Sequence, residues 1–535
     1  METILELLRS FWNWLFESKG RASGPWPRNL PLLQLASRGL FGIICDRYTL
    51  AQAGLNMLFI GAPGAGKTSV MKDVVRSALR AASGAAVLVY KREATQDFVT
   101  CATEEGRKKD LIVMRPGKTP IDPPTHAVNI LSYESQRHGE QGAVVEEIAH
   151  VIHEVMSALS ARYGNGKNDD EWQRMALRLL KNVLEIQIDA YGSVELKDTI
   201  EFVQHLPTSA SDVERNGLHT SIQEALVLAK DRCGKERGYE LQMAENYITQ
   251  EWPNLSPRTA ASISTTLLTS LDSMSRHPLR QLFFEGTTFS PEDALTKGKL
   301  IVLDLPVDTH GEVARVGGVI LKFVMQRALK ARSEEESWRR PVLIVADEVQ
   351  AFVSRNDAEF ANVSRSVRGI MLMATQNLPN LLSTMGGDAT GKADVDSLVS
   401  NAQTRVVTLT SDPTTATWLS DSPPLGKVLK RRFNRNDGVN ISGDGTIAFN
   451  QGGGYSEVID YEVQPNAWGT LRSGGPENNR FVEAVITGTF MGGRRFKVNG
   501  RRYLRVKFDQ TGKNRWGAVR IIAPRIRVRS ERSER

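Results

Sequence analysis

Residues 55–68 read Leu-Asn-Met-Leu-Phe-Ile-Gly-Ala-Pro-Gly-Ala-Gly-Lys-Thr, and the reading of the whole chain starts from them. Leu55–Ile60 is a short apolar run of the kind that forms a buried strand. The eight residues after it, Gly61-Ala62-Pro63-Gly64-Ala65-Gly66-Lys67-Thr68, match GxxxxGK[ST] in full. Residues 68–82 then read as a helix. Strand, loop and helix in that order are the context the motif needs. Glycines let the backbone curl so that several N–H groups point inward at phosphate oxygens. The helix N-terminus adds a partial positive charge at the same place. Lys67 is expected to reach the β/γ-phosphates and Thr68 to ligate Mg²⁺, so ATP and Mg²⁺ are the expected cofactors. Gly61–Thr68 and the following Ser69 form the expected nucleotide cradle.

Working outward, residues 85–90 and 111–114 are further strand runs. Strands return at 299–305, 341–347, 369–375 and 405–409, with helical stretches over 311–331 and 358–367 between them. Near-continuous apolar strands alternating with helices predict an α/β fold with a parallel sheet buried on both faces. Two of these strands end in acid. Asp304 is followed by Leu305 and Pro306, whereas Asp347 is followed by Glu348. Hydrolysis needs a second acid beside the metal-binding one, to orient and polarise the attacking water. Asp347 is therefore assigned to the metal and Glu348 to the water, leaving Asp304 to cap the next helix. Gln376, at the end of the following strand, can sense the γ-phosphate or simply form a turn with Asn377.

Residues 139–277 differ in character. They are rich in Ala, Leu, Glu, Gln and Lys, with 3.6-residue periodicity over 142–162, 170–188, 221–229 and 258–274. This predicts an all-helical insertion. Residues 20–35 read as a Gly/Pro/Arg linker, 424–456 as a Gly/Asn/Arg-rich loop, and 481–523 as short strands heavily decorated with arginine.

Composition excludes several classes. Hydrophobic residues make up 41% and charged residues 24% of 535, which is globular rather than disordered or fibrous. Three isolated cysteines and no HExxH argue against a disulfide framework or a zinc site. His150 and His153 could form a two-ligand pair but sit in Glu-rich helical surroundings. No run of 18 apolar residues exists to span a membrane. Residues 3–16 are apolar but interrupted by Glu6, Arg9 and Asn13, which suits a docked or an interfacial helix. Residues 491–535 hold 15 Lys+Arg against 3 Asp+Glu, leaving 53 basic and 58 acidic groups in the first 490. All the net positive charge thus lies in the tail, which suits a polyanion partner or a solubilising role. Its interleaved Phe496, Tyr503, Phe508 and Trp516 could stack on a single strand or pack inward.

Several segments in order resemble the conjugative coupling proteins of type IV secretion, in the FtsK–HerA group of RecA-like motors. They are Gly61–Thr68, Asn129-Ile130-Leu131, Phe289–Leu295 with Gly298-Lys299-Leu300, Pro341–Glu348, Ala374–Leu378, and Asn401 through Ser411-Asp412-Pro413-Thr414-Thr415-Ala416. The resemblance spans roughly residues 50–490. It implies a RecA-like P-loop NTPase sheet domain over 36–138 and 278–490 and an all-α inserted domain over 139–277. The residues themselves add an N-terminal amphipathic helix and linker over 1–35 and a basic β-rich C-terminal extension over 491–535, the latter not a hallmark of the family. The resemblance also implies a homo-hexamer that translocates DNA without regard to sequence, with relaxase or secretion-channel proteins as partners. An arginine supplied by the neighbouring subunit is implied too; Arg365 and Arg368 both fall where it would lie. The expected location is cytoplasmic, with peripheral attachment to the inner membrane left open. Departures are the lack of two N-terminal membrane helices and the presence of Lys91-Arg92 where the family often has Asp. Two other readings stay open: a HerA-like soluble ATPase of DNA processing or defence, and an ATP-gated scaffold with little turnover.

Overall fold

A computed structural model describes residues 31–39, 42–49, 54, 56–137, 141–163, 169–332, 340–441, 447–488, 503–510 and 518–521. The apolar helix expected over residues 3–16 lies outside them, as do Arg494, Arg495, Phe496, Arg501, Arg502 and Trp516. The chain opens with β1 (Pro31–Gly39), β2 (Gly42–Thr49) and β3 (Met57–Ile60). Next come α1 (Lys67–Arg80), β4 (Gly84–Leu88), α2 (Arg92–Glu104) and β5 (Leu111–Met114). A long helical stretch follows: α3 (Ile130–Arg137), α4 (Gln141–Tyr163), α5 (Asp169–Tyr191), α6 (Leu196–Gln204), α7 (Ala210–Asn216), α8 (Thr220–Arg232), α9 (Gly238–Asn246), α10 (Pro257–Ser275) and α11 (Glu292–Thr296). Strands resume with β6 (Leu300–Leu303), then α12 (Val307–Ala331), β7 (Val342–Ala346), α13 (Asn356–Val363) and β8 (Gly369–Thr375). The remainder is α14 (Leu378–Thr384), α15 (Ala389–Asn401), β9 (Thr404–Val407), α16 (Pro413–Asp421), β10 (Lys427–Ile441), β11 (Ile447–Tyr461), β12 (Phe481–Gly488), β13 (Tyr503–Asp509) and β14 (Ala518–Ile521).

Seven strands form the parallel centre of the sheet in the order β9-β3-β8-β7-β4-β6-β5. Every residue of β3, β4, β6, β7, β8 and β9 is buried, as a parallel sheet covered on both faces requires. Alternation along each strand divides the core in two. Met57 and Phe59 point with Ala85, Val87, Leu343 and Val345 to the face covered by α1 and α2. Leu58 and Ile60 join Ala86, Leu88, Ile344 and Ala346 in the cluster shared with α12 and the helical stretch. The expected parallel α/β sheet is thus present, and between α3 and α11 the described residues contain no strand.

Three expectations need correction. Beyond β9 the sheet turns antiparallel: β12 pairs with β9, and β13 pairs with β12 from Phe481 opposite Asp509 to Thr487 opposite Tyr503. Leu504, Val506 and Phe508 are buried in the α1-side core. A boundary at 490/491 therefore cuts through one hairpin, and Phe508 packs inward rather than facing a ligand. Residues 31–35, read as linker, begin β1, which pairs parallel to β14 and antiparallel to β2. Residues 424–456, read as a loop, form most of a separate two-stranded ribbon. In it β10 and β11 pair from Lys427 opposite Tyr461 to Ile441 opposite Ile447. Gly, Asn and Asp have low strand propensity, so the signal was absent locally; cross-strand pairing supplies it.

Candidate nucleotide site

The loop between β3 and α1 is folded by the sheet around it. Gly61 N–H donates to Thr375 O at 3.3 Å and Ala62 N–H to Leu409 O at 2.7 Å, so the ends of β8 and β9 hold the loop's first residues. A Cβ on Gly61 would lie 1.9 Å from Thr408 Oγ1, so only glycine fits. Gly64 and Gly66 have φ of 74° and 87°, where side-chain-bearing residues are strained. Gly66 is then the residue that starts α1.

Lys67 is buried. Its ammonium donates to Gly61 O at 2.7 Å and Ala62 O at 3.2 Å, and lies 3.9 Å from Glu348 Oε1. Burial lowers its pKa, opposed by the charges of Glu348 and Asp347. Thr68 Oγ1 donates to Asp347 Oδ1 at 3.0 Å and Oδ2 at 3.1 Å. Burial, and then the charge of Glu348, pushes the Asp347 carboxyl up to about 6. Two buried acids side by side with one ammonium are short of positive charge, which suits a divalent cation.

Glu348 follows β7 with φ 67° in the left-handed region, a strained setting for a non-glycine residue. Its carboxylate accepts from Gln350 Nε2 at 2.6 Å and Gln376 Nε2 at 3.3 Å. The segment beyond it is anchored from below. Buried Lys322 on α12 donates to Phe352 O and to Asp357, Gln326 Nε2 donates to Asp357 Oδ1 at 2.7 Å, and Ser354 N–H donates to Asp357 Oδ2 at 3.0 Å.

Lys67, Thr68, Asp347, Glu348 and Gln376 therefore meet at the C-terminal edge of the sheet. The order β3-β8-β7 puts one strand between the loop's strand and the acids, and Gln376 sits at the end of that strand. Asp304 is elsewhere. It ends β6, separated from β7 by β4, and it accepts from Thr95 Oγ1 at 2.6 Å and from Arg115. The expectation that it caps the next helix is not met, because α12 has no side-chain cap. Arg365 and Arg368 precede β8, at the opposite end of the strand from Gln376. Seven residues of strand put them roughly 20 Å from their own chain's loop. Arg365 is exposed.

The structure also brings in residues the sequence did not flag. Val482 on β12 covers Gly66, where a Cβ would lie 2.4 Å from its Cγ2. Gln510, just after β13, donates from Nε2 to Ser69 Oγ at 3.1 Å. The two are 441 positions apart in sequence, and no local pattern announces such a contact.

Residues 341–448, which hold Asp347, Glu348, Arg365, Arg368 and Gln376, match the family model described as the TraM recognition site of TraD and TraG. Over these residues the chain is similar to the TraG/TraD coupling proteins. The resemblance drawn from its motifs holds. No curated protein sequence matches the chain. Among solved structures, it is similar to the bacterial conjugative coupling protein TrwBdeltaN70 in its unbound form, with 13% identity, a TM-score of 0.53 and 82% of each chain covered. The plasmid coupling protein TrwB in complex with ADP and Mg²⁺ gives 12% identity, a TM-score of 0.55 and 86% of each chain. At such identity what is shared is the fold. Among the described residues, no helix is long and apolar enough to cross a membrane.

Proposed function

We propose that this coupling-protein homologue is an ATP-hydrolysing motor that moves DNA in conjugative transfer. The observation that carries the reading is the meeting of Lys67, Thr68, Asp347, Glu348 and Gln376 at one sheet edge. The N–H groups of the loop and the start of α1 cradle the phosphates, and Lys67 neutralises the β/γ charge. Thr68 and Asp347 would hold Mg²⁺, which would supply further charge neutralisation on the phosphates. Glu348 orients and polarises the attacking water, and Gln376, bonded to Glu348, links that carboxylate to the γ-phosphate position.

The nucleotide-binding domain is RecA-like and comprises residues 36–138 and 278–490 together with the start of β1, β13 and β14. Residues 139–277 are the inserted helical domain. The protein works as a ring of six copies, with Arg365 or Arg368 offered to the neighbour's phosphates. TrwB in complex with ADP and Mg²⁺ supports the same ligand pair here. The TraM recognition description of the matched family supports docking of transfer-partner proteins on residues 341–448. The retained Lys67, Asp347 and Glu348 favour turnover over a scaffold that only binds nucleotide.

ATP turnover of the full chain, measured with and without DNA, tests the reading. Mg²⁺-dependent turnover raised severalfold by DNA of any sequence is expected, with an effect that falls as salt rises. Nucleotide binding without turnover under both conditions would leave the scaffold reading in its place.

A further inference from the structure

The nucleotide site has a second wall that the motif does not contain. The loop's strand β3 is flanked by β8 on one side and β9 on the other. Asp347, Glu348 and Gln376 all approach from the β8 side. From the β9 side comes the antiparallel hairpin β12–β13, which sets Val482 against Gly66 and Gln510 against Ser69.

Gln510 is held in a built position. Its backbone N–H donates to Arg480 O at 2.9 Å, and its side-chain Oε1 accepts the N–H of Gly475 at 2.8 Å. A Cβ on Gly474 would lie 2.1 Å from that oxygen, so the absence of a side chain at 474 leaves room for the Gln510 amide in this position. Because Oε1 is committed to a backbone donor, the amide orientation is fixed and Nε2 faces α1. One of its two N–H groups goes to Ser69 Oγ, in the first turn of α1 beside Thr68.

We propose that Gln510 is a nucleotide-binding residue, donating its second N–H, together with Ser69, to the phosphate–ribose part of a nucleoside diphosphate or triphosphate seated on the loop. This rests on the nucleotide reading above. The hairpin lies on the flank away from Glu348, so the contact is made with the part of the nucleotide that does not react. ADP and ATP gain from it alike, and the contact acts on binding.

Gln510→Glu and Gln510→Ala separate this role from a structural one. Glutamate keeps the oxygen that accepts from Gly475 and the side-chain length, but replaces the donor with a negative charge facing phosphate. Alanine leaves the Gly475 N–H without its acceptor. A structural role makes alanine the worse substitution; a binding role makes glutamate the worse one. The measurement is the equilibrium affinity of the full chain for ADP with Mg²⁺, alongside thermal melting. We expect a loss of roughly three- to tenfold for Gln510→Ala and about thirtyfold or more for Gln510→Glu. The melting temperature should fall more for alanine. ADP affinity of Gln510→Glu within twofold of wild type, or weaker binding by alanine than by glutamate, overturns the proposal while leaving the nucleotide reading intact. Wild-type protein that binds no ADP overturns that reading and the proposal together.

Discussion

The two flanks of the phosphate loop are built differently. On the β8 side, three polar side chains of the candidate site sit at strand ends, and each is introduced by an apolar run that names its own strand: 342–346 before Asp347 and Glu348, 369–375 before Gln376. On the β9 side, the covering residues come from an antiparallel hairpin that closes only through residues 481–510. The first flank carries charge and the second carries shape, with Val482 over Gly66 and a neutral amide at Ser69. Chemistry tied to strand ends is visible locally, whereas a wall assembled from distant segments is visible only once the sheet order is known.

The largest expected effect sharpens this contrast on the hairpin side. A chain ending at residue 490 loses β13 and with it buried Leu504, Val506 and Phe508. Each such loss costs about 2–5 kcal/mol, so the truncated protein should fail to fold, seen as loss of the cooperative unfolding transition. Phe508→Ala alone should cost about 3–5 kcal/mol in denaturant unfolding. A stable, cooperatively folding truncation would show that the hairpin is an appendage and not a wall.

On the carboxylate side, Lys67→Ala should lower ATP turnover by roughly a hundredfold or more and weaken nucleotide binding, with the fold intact. The small side chain leaves the loop's own carbonyls, Gly61 O and Ala62 O, without their donor. Turnover above about a tenth of wild type would count against the loop as the phosphate site.

A smaller effect probes the brace beneath Glu348. Glu154 on α4 faces Lys322, Ser354, Asp357 and Glu359, and one of its oxygens is shut off from solvent without a hydrogen-bond partner. Burial pushes its carboxyl up to about 7 from an ordinary 4.5. The fold therefore favours the neutral acid. That contribution is complete below about 4.5 and is lost as pH rises through about 7. Wild-type stability should decline by about 1–2 kcal/mol between pH 5 and pH 8, after discounting for partial exposure. Glu154→Gln should flatten the decline, as read from melting temperature against pH. An unchanged slope in the variant would remove Glu154 from the brace.

Much of the parallel sheet was legible because its strands are uninterrupted apolar runs with acid or amide at their ends. The choice of Asp347 over Asp304 rested on one neighbouring glutamate. The structure puts Thr68 on Asp347, and Thr95 and Arg115 on Asp304. The β10–β11 ribbon was illegible, since Asn434 through Gly438 and the facing Asn450 through Gly454 carry no apolar alternation and pair with each other. Arg505 and Lys507 belong to the basic excess of residues 491–535. They are paired with Glu483 across the hairpin, at 2.7 and 3.6 Å, a partner 22 and 24 residues away that charge counting could not supply.

The proposed hydrolytic pair beside the phosphate loop is Asp347 and Glu348, and not Asp304. Single-turnover ATP hydrolysis by Glu348→Gln and Asp304→Asn, with bound nucleotide measured in the same samples, separates the two assignments. Glu348→Gln should retain bound ATP while hydrolysis falls by about 10²-fold or more, and Asp304→Asn should hydrolyse at a rate close to wild type. Normal hydrolysis by Glu348→Gln with a dead Asp304→Asn would move the hydrolytic role from Glu348 to Asp304.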